Sequence, residues 1–111
     1  MDALLNEVSR ARDEIVEFAA ELIRIPTTNP PGENYQECAW VIGKKLREFG
    51  FQVEYLVPDD RPEHSAKYPR LNVIGQRRGE HLRPLVHLNG HMDVVPAGQD
   101  WAVDPLFGNG S

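Results

Sequence analysis

The chain has 111 residues, which bounds it to one domain with one modest core. Its 41% hydrophobic and 26% charged content is that of an ordinary soluble globular chain. A net charge of −5 argues against nucleic acid and anionic membranes as partners. There is no unbroken apolar run of the roughly 18 residues that a membrane-spanning helix needs. Met1-Asp2-Ala3-Leu4-Leu5-Asn6-Glu7 lacks the basic stretch that opens a signal peptide, and Cys38 has no second cysteine to pair with. These features lead us to expect a cytoplasmic protein.

The periodicity predicts a first amphipathic helix from about Ala3 to Arg24. Leu4, Val8, Ala11, Ile15, Phe18, Ala19, Leu22 and Ile23 fall near a 3.6-residue repeat, and Pro26 ends it. Ile25 to Glu33 is rich in proline and glycine and reads as a helix-to-helix connector. Glu33 is placed to favour the positive end of the next helix. A second helix is expected over Asn34–Phe49, with Cys38, Val41, Ile42, Leu46 and Phe49 inward and Gly50 as its stop. Cys38 on that apolar face reads as a small buried thiol rather than a nucleophile.

Phe51, Val53, Tyr55 and Val57 alternate with Gln52 and Glu54, the pattern of a strand with one buried face. Pro58 to Pro69 reads as an exposed loop, with His64 solvated. Leu71–Gln76 is a second expected strand. The charged turn from Arg77 to Arg83, with His81 in it, reads as a solvated tip. Pro84–Asn89 is a short apolar run and predicts a third, buried strand.

That run leads into the stretch with the clearest chemistry. Gly90 breaks it, and His91, Met92 and Asp93 follow before Val94-Val95-Pro96. Ligands in open α/β sheets bind beyond the carboxyl ends of strands. On an extended chain His91 and Asp93 would face the same side, about 6–7 Å apart at Cα. This suits a metal-binding imidazole whose tautomer is fixed by a neighbouring carboxylate. By itself a His-x-Asp pair also fits a solvated or hydrogen-bonded structural pair. His87 and His91 would lie about 13 Å apart on a strand, too far to share a metal, so His87 reads as a hydrogen-bonded histidine within the sheet.

His87-Leu88-Asn89-Gly90-His91-Met92-Asp93-Val94-Val95-Pro96, followed by Trp101 and Asp104-Pro105, resembles the signature of the M20 metallopeptidase and deacylase family. Asn29-Pro30-Pro31-Gly32 is similar to a loop common in its deacylase branch. Leu106 between Pro105 and Phe107 departs from the family's W-x-x-D-P-F segment. The resemblance runs from about Glu17 to Phe107 and matches the opening part of a family enzyme.

The resemblance implies a partial three-layer α-β-α zinc-hydrolase catalytic domain over residues 1–111, truncated after two helices and about three strands. It implies amide hydrolysis of an N-acyl amino acid or peptide by metal-activated water. The complete active site would hold two zinc ions, with cobalt or manganese as alternatives, in a full-length protein that can be a homodimer. By match to the motif, His91 is the implied metal ligand and Asp93 its orienting partner, a position treated as catalytic in the family. The family's bridging aspartate, glutamate pair, remaining ligands and lid or dimerisation domain have no counterpart in these residues. We therefore expect the 111 residues alone to be inactive, with an uncovered sheet edge. A competing reading is a non-catalytic α/β protein-association module built on the same fold. A nucleotide-binding domain is disfavoured, because no strand is followed by G-x-G-x-x-G or a P-loop.

Overall fold

The structure, a computed structural model, describes residues 1–106. Phe107, the last residue of the resemblance, lies outside them. The described residues form a small α/β chain with three helices and a two-stranded antiparallel sheet. They divide into two compact units: residues 27–96, and residues 1–26 together with the segment from Ala97 onward. No described helix is long and apolar enough to cross a membrane.

In the unit containing the N-terminus, the expected single helix is two: α1 (Asp2–Arg10) and α2 (Arg12–Ile23). The break is one residue deep. Ala11 has φ −84° and ψ 3°, towards the bridge region. Hydrogen bonding continues around it, from Ala11 N–H to Glu7 O at 3.1 Å and from Ile15 N–H to Ala11 O at 2.8 Å. Alanine is the best helix former, so intrinsic propensity gives no warning of an interruption there. Asp2 opens α1 and Arg10 closes it, each at the end its charge favours, and Arg10 pairs with Glu7 one turn back. Neither helix buries a residue, and Leu4, Val8, Ile15 and Ile23 of the expected stripe are exposed. Further along this unit, Trp101 Nε1–H donates to Ala97 O at 2.7 Å, and Leu106 N–H to Asp104 Oδ1 at 3.0 Å.

The 27–96 unit is built on α3 (Tyr35–Glu48), β1 (Gln52–Leu56) and β2 (Asn72–Gln76). Gly50 ends α3 as the sequence predicts. At φ +86° it lets its own N–H reach Arg47 O at 2.9 Å and lets Phe51 N–H reach Leu46 O at 3.0 Å. These two bonds satisfy carbonyls that the helix end would orphan. The buried face of α3 is Tyr35, Cys38, Ala39 and Gly43. Phe49, expected inward, is exposed, because the chain turns away at this cap. Cys38 is buried, and burial pushes its thiol up from the ordinary value, with Glu37 adding to the effect, as befits an inert core thiol.

β1 and β2 run antiparallel, with Val53 opposite Gly75 and Tyr55 opposite Val73. Val53 and Tyr55 turn inward, as the alternation predicts. Small residues let α3 settle on this sheet. A Cβ on Gly43 would run into the Tyr55 hydroxyl, and one on Gly75 would lie 3.0 Å from Leu46 Cδ1. Tyr35, Ala39 and Leu71 form the core, with Tyr55, Val73 and Met92 packed against it.

The third strand does not form: residues 84–89 are irregular among the described residues. Leu85 and Leu88 are 89% and 88% exposed. A strand exists only through hydrogen bonds to a neighbour, and no described segment pairs with this one. The expected three-layer arrangement is accordingly absent from the described residues. His87 lies outside the sheet and is exposed, contrary to the expected sheet position.

Candidate functional site

The His-x-Asp segment is held by a loop far away in the sequence. Thr28 and Val94 form an isolated parallel bridge. Asn29 N–H donates to Val94 O at 2.8 Å, and Val94 N–H to Thr27 O at 3.0 Å. The Thr27 hydroxyl, on a residue only 2% exposed, donates to Met92 O at 2.8 Å. The proline-rich stretch is thus more than a connector, because it fixes the backbone on either side of Asp93.

Asp93 sits at the centre of the polar contacts. Its Oδ2 accepts from Tyr35 Oη at 3.0 Å and from Asn29 Nδ2 at 3.2 Å. His91 Nδ1 lies 3.1 Å from the other oxygen, Oδ1, and 2.9 Å from Asp93 O. Burial pushes the Asp93 carboxyl up. Hydrogen bonds from Tyr35, Asn29, His91 and the backbone outweigh that effect and leave it below its ordinary value. It is therefore an acceptor at neutral pH, as is its carbonyl.

With two acceptors beside it, His91 Nδ1 must carry the ring proton. The neutral ring then keeps a lone pair on Nε2. The His91 side chain is 85% exposed, whereas that of Asp93 is only 34% exposed. The arrangement presents one nitrogen donor outward on a carboxylate-steadied imidazole, the geometry typical of a metal-binding histidine. Asn29, His91, Asp93, Val94 and Val95 line a shallow cleft of about 380 Å³. A neighbouring cleft of about 770 Å³ shares His91 and Asp93 and reaches Tyr35 and Arg70.

The donor set is that of one metal ligand. No group of three His, Cys, Asp or Glu side chains able to hold an ion exists among the described residues. Among the described residues His91 is therefore a single nitrogen donor, where a zinc site takes three or four protein ligands.

Thr27, Asn29, Tyr35 and Arg70 were not singled out by the sequence as site residues. Arg70 Nη1–H donates to Tyr35 Oη at 2.9 Å, and its Nη2–H donates to Pro31 O at 2.8 Å. Burial and the Asp93 carboxylate push the Tyr35 phenol up from its ordinary value, against the opposing pull of Arg70. His64, expected to be solvated, instead accepts Arg70 N–H on Nδ1 at 2.9 Å. No site signal marks them in the sequence beyond the resemblance of Asn29-Pro30-Pro31-Gly32 to a family loop.

Comparison with known proteins gives distant similarity to amidohydrolases. The chain is 34% identical over 91 residues to succinyl-diaminopimelate desuccinylase of Zymomonas mobilis, covering 82% of this chain and 22% of that protein. It is 26% identical over 97 residues to the desuccinylase of the same name from Psychrobacter arcticus, covering 86% and 23%. It is 29% identical over 111 residues to N-formyl-4-amino-5-aminomethyl-2-methylpyrimidine deformylase of Bacillus subtilis, covering 94% and 24%. The chain spans less than a quarter of the length of these curated relatives. No family profile and no solved structure matches it.

Proposed function

We propose that these residues open the catalytic domain of a metal-dependent amidohydrolase that removes an acyl group from an N-acyl amino acid or cleaves a small peptide. The observation that carries this reading is the His91–Asp93 pair, in which the carboxylate occupies Nδ1 and leaves Nε2 facing outward. The similarity to a desuccinylase and a deformylase supports the reaction class.

In this reading His91 binds a divalent metal through Nε2, zinc by preference and cobalt or manganese as alternatives. Asp93 holds the ring and strengthens its basicity. A metal bound there supplies an activated water and polarises the scissile carbonyl. Thr27 and Asn29 keep the backbone around Asp93 from shifting. The general base, the remaining ligands and the second ion's site belong to other parts of the longer protein, so residues 1–111 alone are inactive. Cytoplasmic location and dimerisation of the full-length protein belong to the same proposal.

The test is turnover of N-acyl amino acids by the protein expressed from the whole natural reading frame. Chelation and His91→Ala should each abolish it, and unchanged turnover after either contradicts the reading. One observation favours a protein-association module instead: Leu85, Val86 and Leu88 are exposed together. Absence of hydrolysis from the whole-frame protein, with zinc supplied, would favour that reading.

A further inference from the structure

Arg70 is fastened at several points. Besides its bonds to Tyr35 and Pro31, its backbone N–H donates to His64 Nδ1 at 2.9 Å and its Nε–H reaches Glu63 O at 3.4 Å. Its guanidinium carbon also lies 4.9 Å from the centre of the Tyr35 ring. Gly32 makes room for it. A Cβ there would stand 2.6 Å from that guanidinium carbon, and Gly32 has φ +103°, which side chains rarely adopt.

A guanidinium has donors only, so Tyr35 Oη must accept from Arg70. The single phenolic proton is then left for Asp93 Oδ2. Asn29 Nδ2–H is directed at the same oxygen. Oδ2 is thereby engaged by two donors, and Oδ1 is the oxygen offered to His91 Nδ1. The carboxylate is pinned on one side and serves the imidazole from the other.

From this chain of contacts we infer that Tyr35 and Arg70 are positioning residues for the His91–Asp93 pair. Arg70 directs the Tyr35 hydroxyl, the hydroxyl holds the Asp93 carboxylate, and that carboxylate joins the Asp93 carbonyl in keeping the His91 proton on Nδ1 so that Nε2 stays open. The inference deepens the proposed function and rests on it for its catalytic meaning, but the geometry it asserts is measurable without metal.

The experiment is to record the ¹⁵N shifts of the histidine ring nitrogens in the 111-residue chain, at a pH where imidazole is neutral. In the wild type His91 should be almost wholly in the Nδ1–H form. His64 is an internal standard: its Nδ1 accepts Arg70 N–H, so it should hold its proton on Nε2. Tyr35→Phe keeps the ring in the core and removes only the hydroxyl. It should move the His91 shifts part of the way towards the values of the urea-unfolded chain, because Asp93 O still accepts from Nδ1, and leave those of His64 in place. Arg70→Lys should move His91 in the same direction by a smaller amount, and it decides alone should Tyr35→Phe fail to fold. A His91 that is not in the Nδ1–H form, or one that is indifferent to both substitutions in folded protein, overturns the inference.

Zinc titration of the whole-frame protein separates the two ideas. Zinc uptake that depends on His91, combined with ring shifts indifferent to Tyr35 and Arg70, sinks this inference and spares the proposed function. Ring shifts that respond, combined with no His91-dependent zinc uptake, sink the proposed function and support the positioning roles.

Discussion

The loop at residues 27–32 and the apolar run at residues 84–89 invert what their compositions suggest. The first is polar and full of proline, yet Thr27 and Gly32 are buried, its backbone is bonded to Val94, and its side chains are bonded to Met92 and Asp93. The second is apolar, yet it is irregular and exposed. The difference lies in partners. Thr27 and Asn29 offer backbone and side-chain groups that match those of Met92, Asp93 and Val94, so burial costs no unsatisfied polar group. The run at 84–89 has apolar side chains but no described strand to take its N–H and C=O groups.

Substitutions can break this comparison from either side. Gly32→Val should have the largest effect. Forcing a β-branched residue to a positive φ costs on the order of 1–3 kcal/mol from the backbone alone, and here it also displaces the Arg70 guanidinium. Urea unfolding should show a clearly lowered midpoint, and a midpoint equal to wild type would show that the loop is not held as described.

Thr27→Val comes next. It keeps the shape but removes the donor to Met92 O, at a cost of about 1–2 kcal/mol. The amide of Val94 should then exchange with deuterium several-fold faster, while amides in the middle of α3 keep their protection. Uniform acceleration across the chain would mean that Thr27 supports the whole unit rather than the site segment.

Acid should loosen the same anchor by a smaller amount. Asp93 is held below its ordinary value, near 3.8, so its contribution is complete above that pH and is lost as pH falls further, through its folded value. The stability difference between wild type and Asp93→Asn should be constant from neutral pH to about pH 5 and should close below pH 4. A difference unchanged in strong acid would remove the carboxylate from the account. Leu88→Ser, in the exposed run, should be nearly silent, within about 0.5 kcal/mol of wild type in urea unfolding. A large loss there would restore the buried strand that the composition suggests.

Local signals made part of this molecule legible. The 3.6-residue repeat and Gly50 located α3 and its end, and the alternation around Val53 and Tyr55 located β1 and its inward face. His91 and Asp93 were legible as a pair because neighbours two apart on an extended chain share a side. Thr27, Asn29 and Tyr35 reach their partners across 65, 64 and 58 residues of chain. No local period encodes such a meeting. Arg70 joins Tyr35 across 35 residues, and in sequence it is one basic residue after an exposed loop. The interruption at Ala11 was invisible for the opposite reason, since local propensity there favours an unbroken helix.

Metal stoichiometry tests most directly the proposed role of His91 as a metal-binding imidazole held by Asp93. The protein from the whole natural frame should be purified beside its His91→Ala and Asp93→Ala variants, and bound zinc measured for each. The wild type should hold two ions, His91→Ala should lose one, and Asp93→Ala should largely retain its metal with reduced turnover. The same zinc content in wild type and His91→Ala would contradict that role.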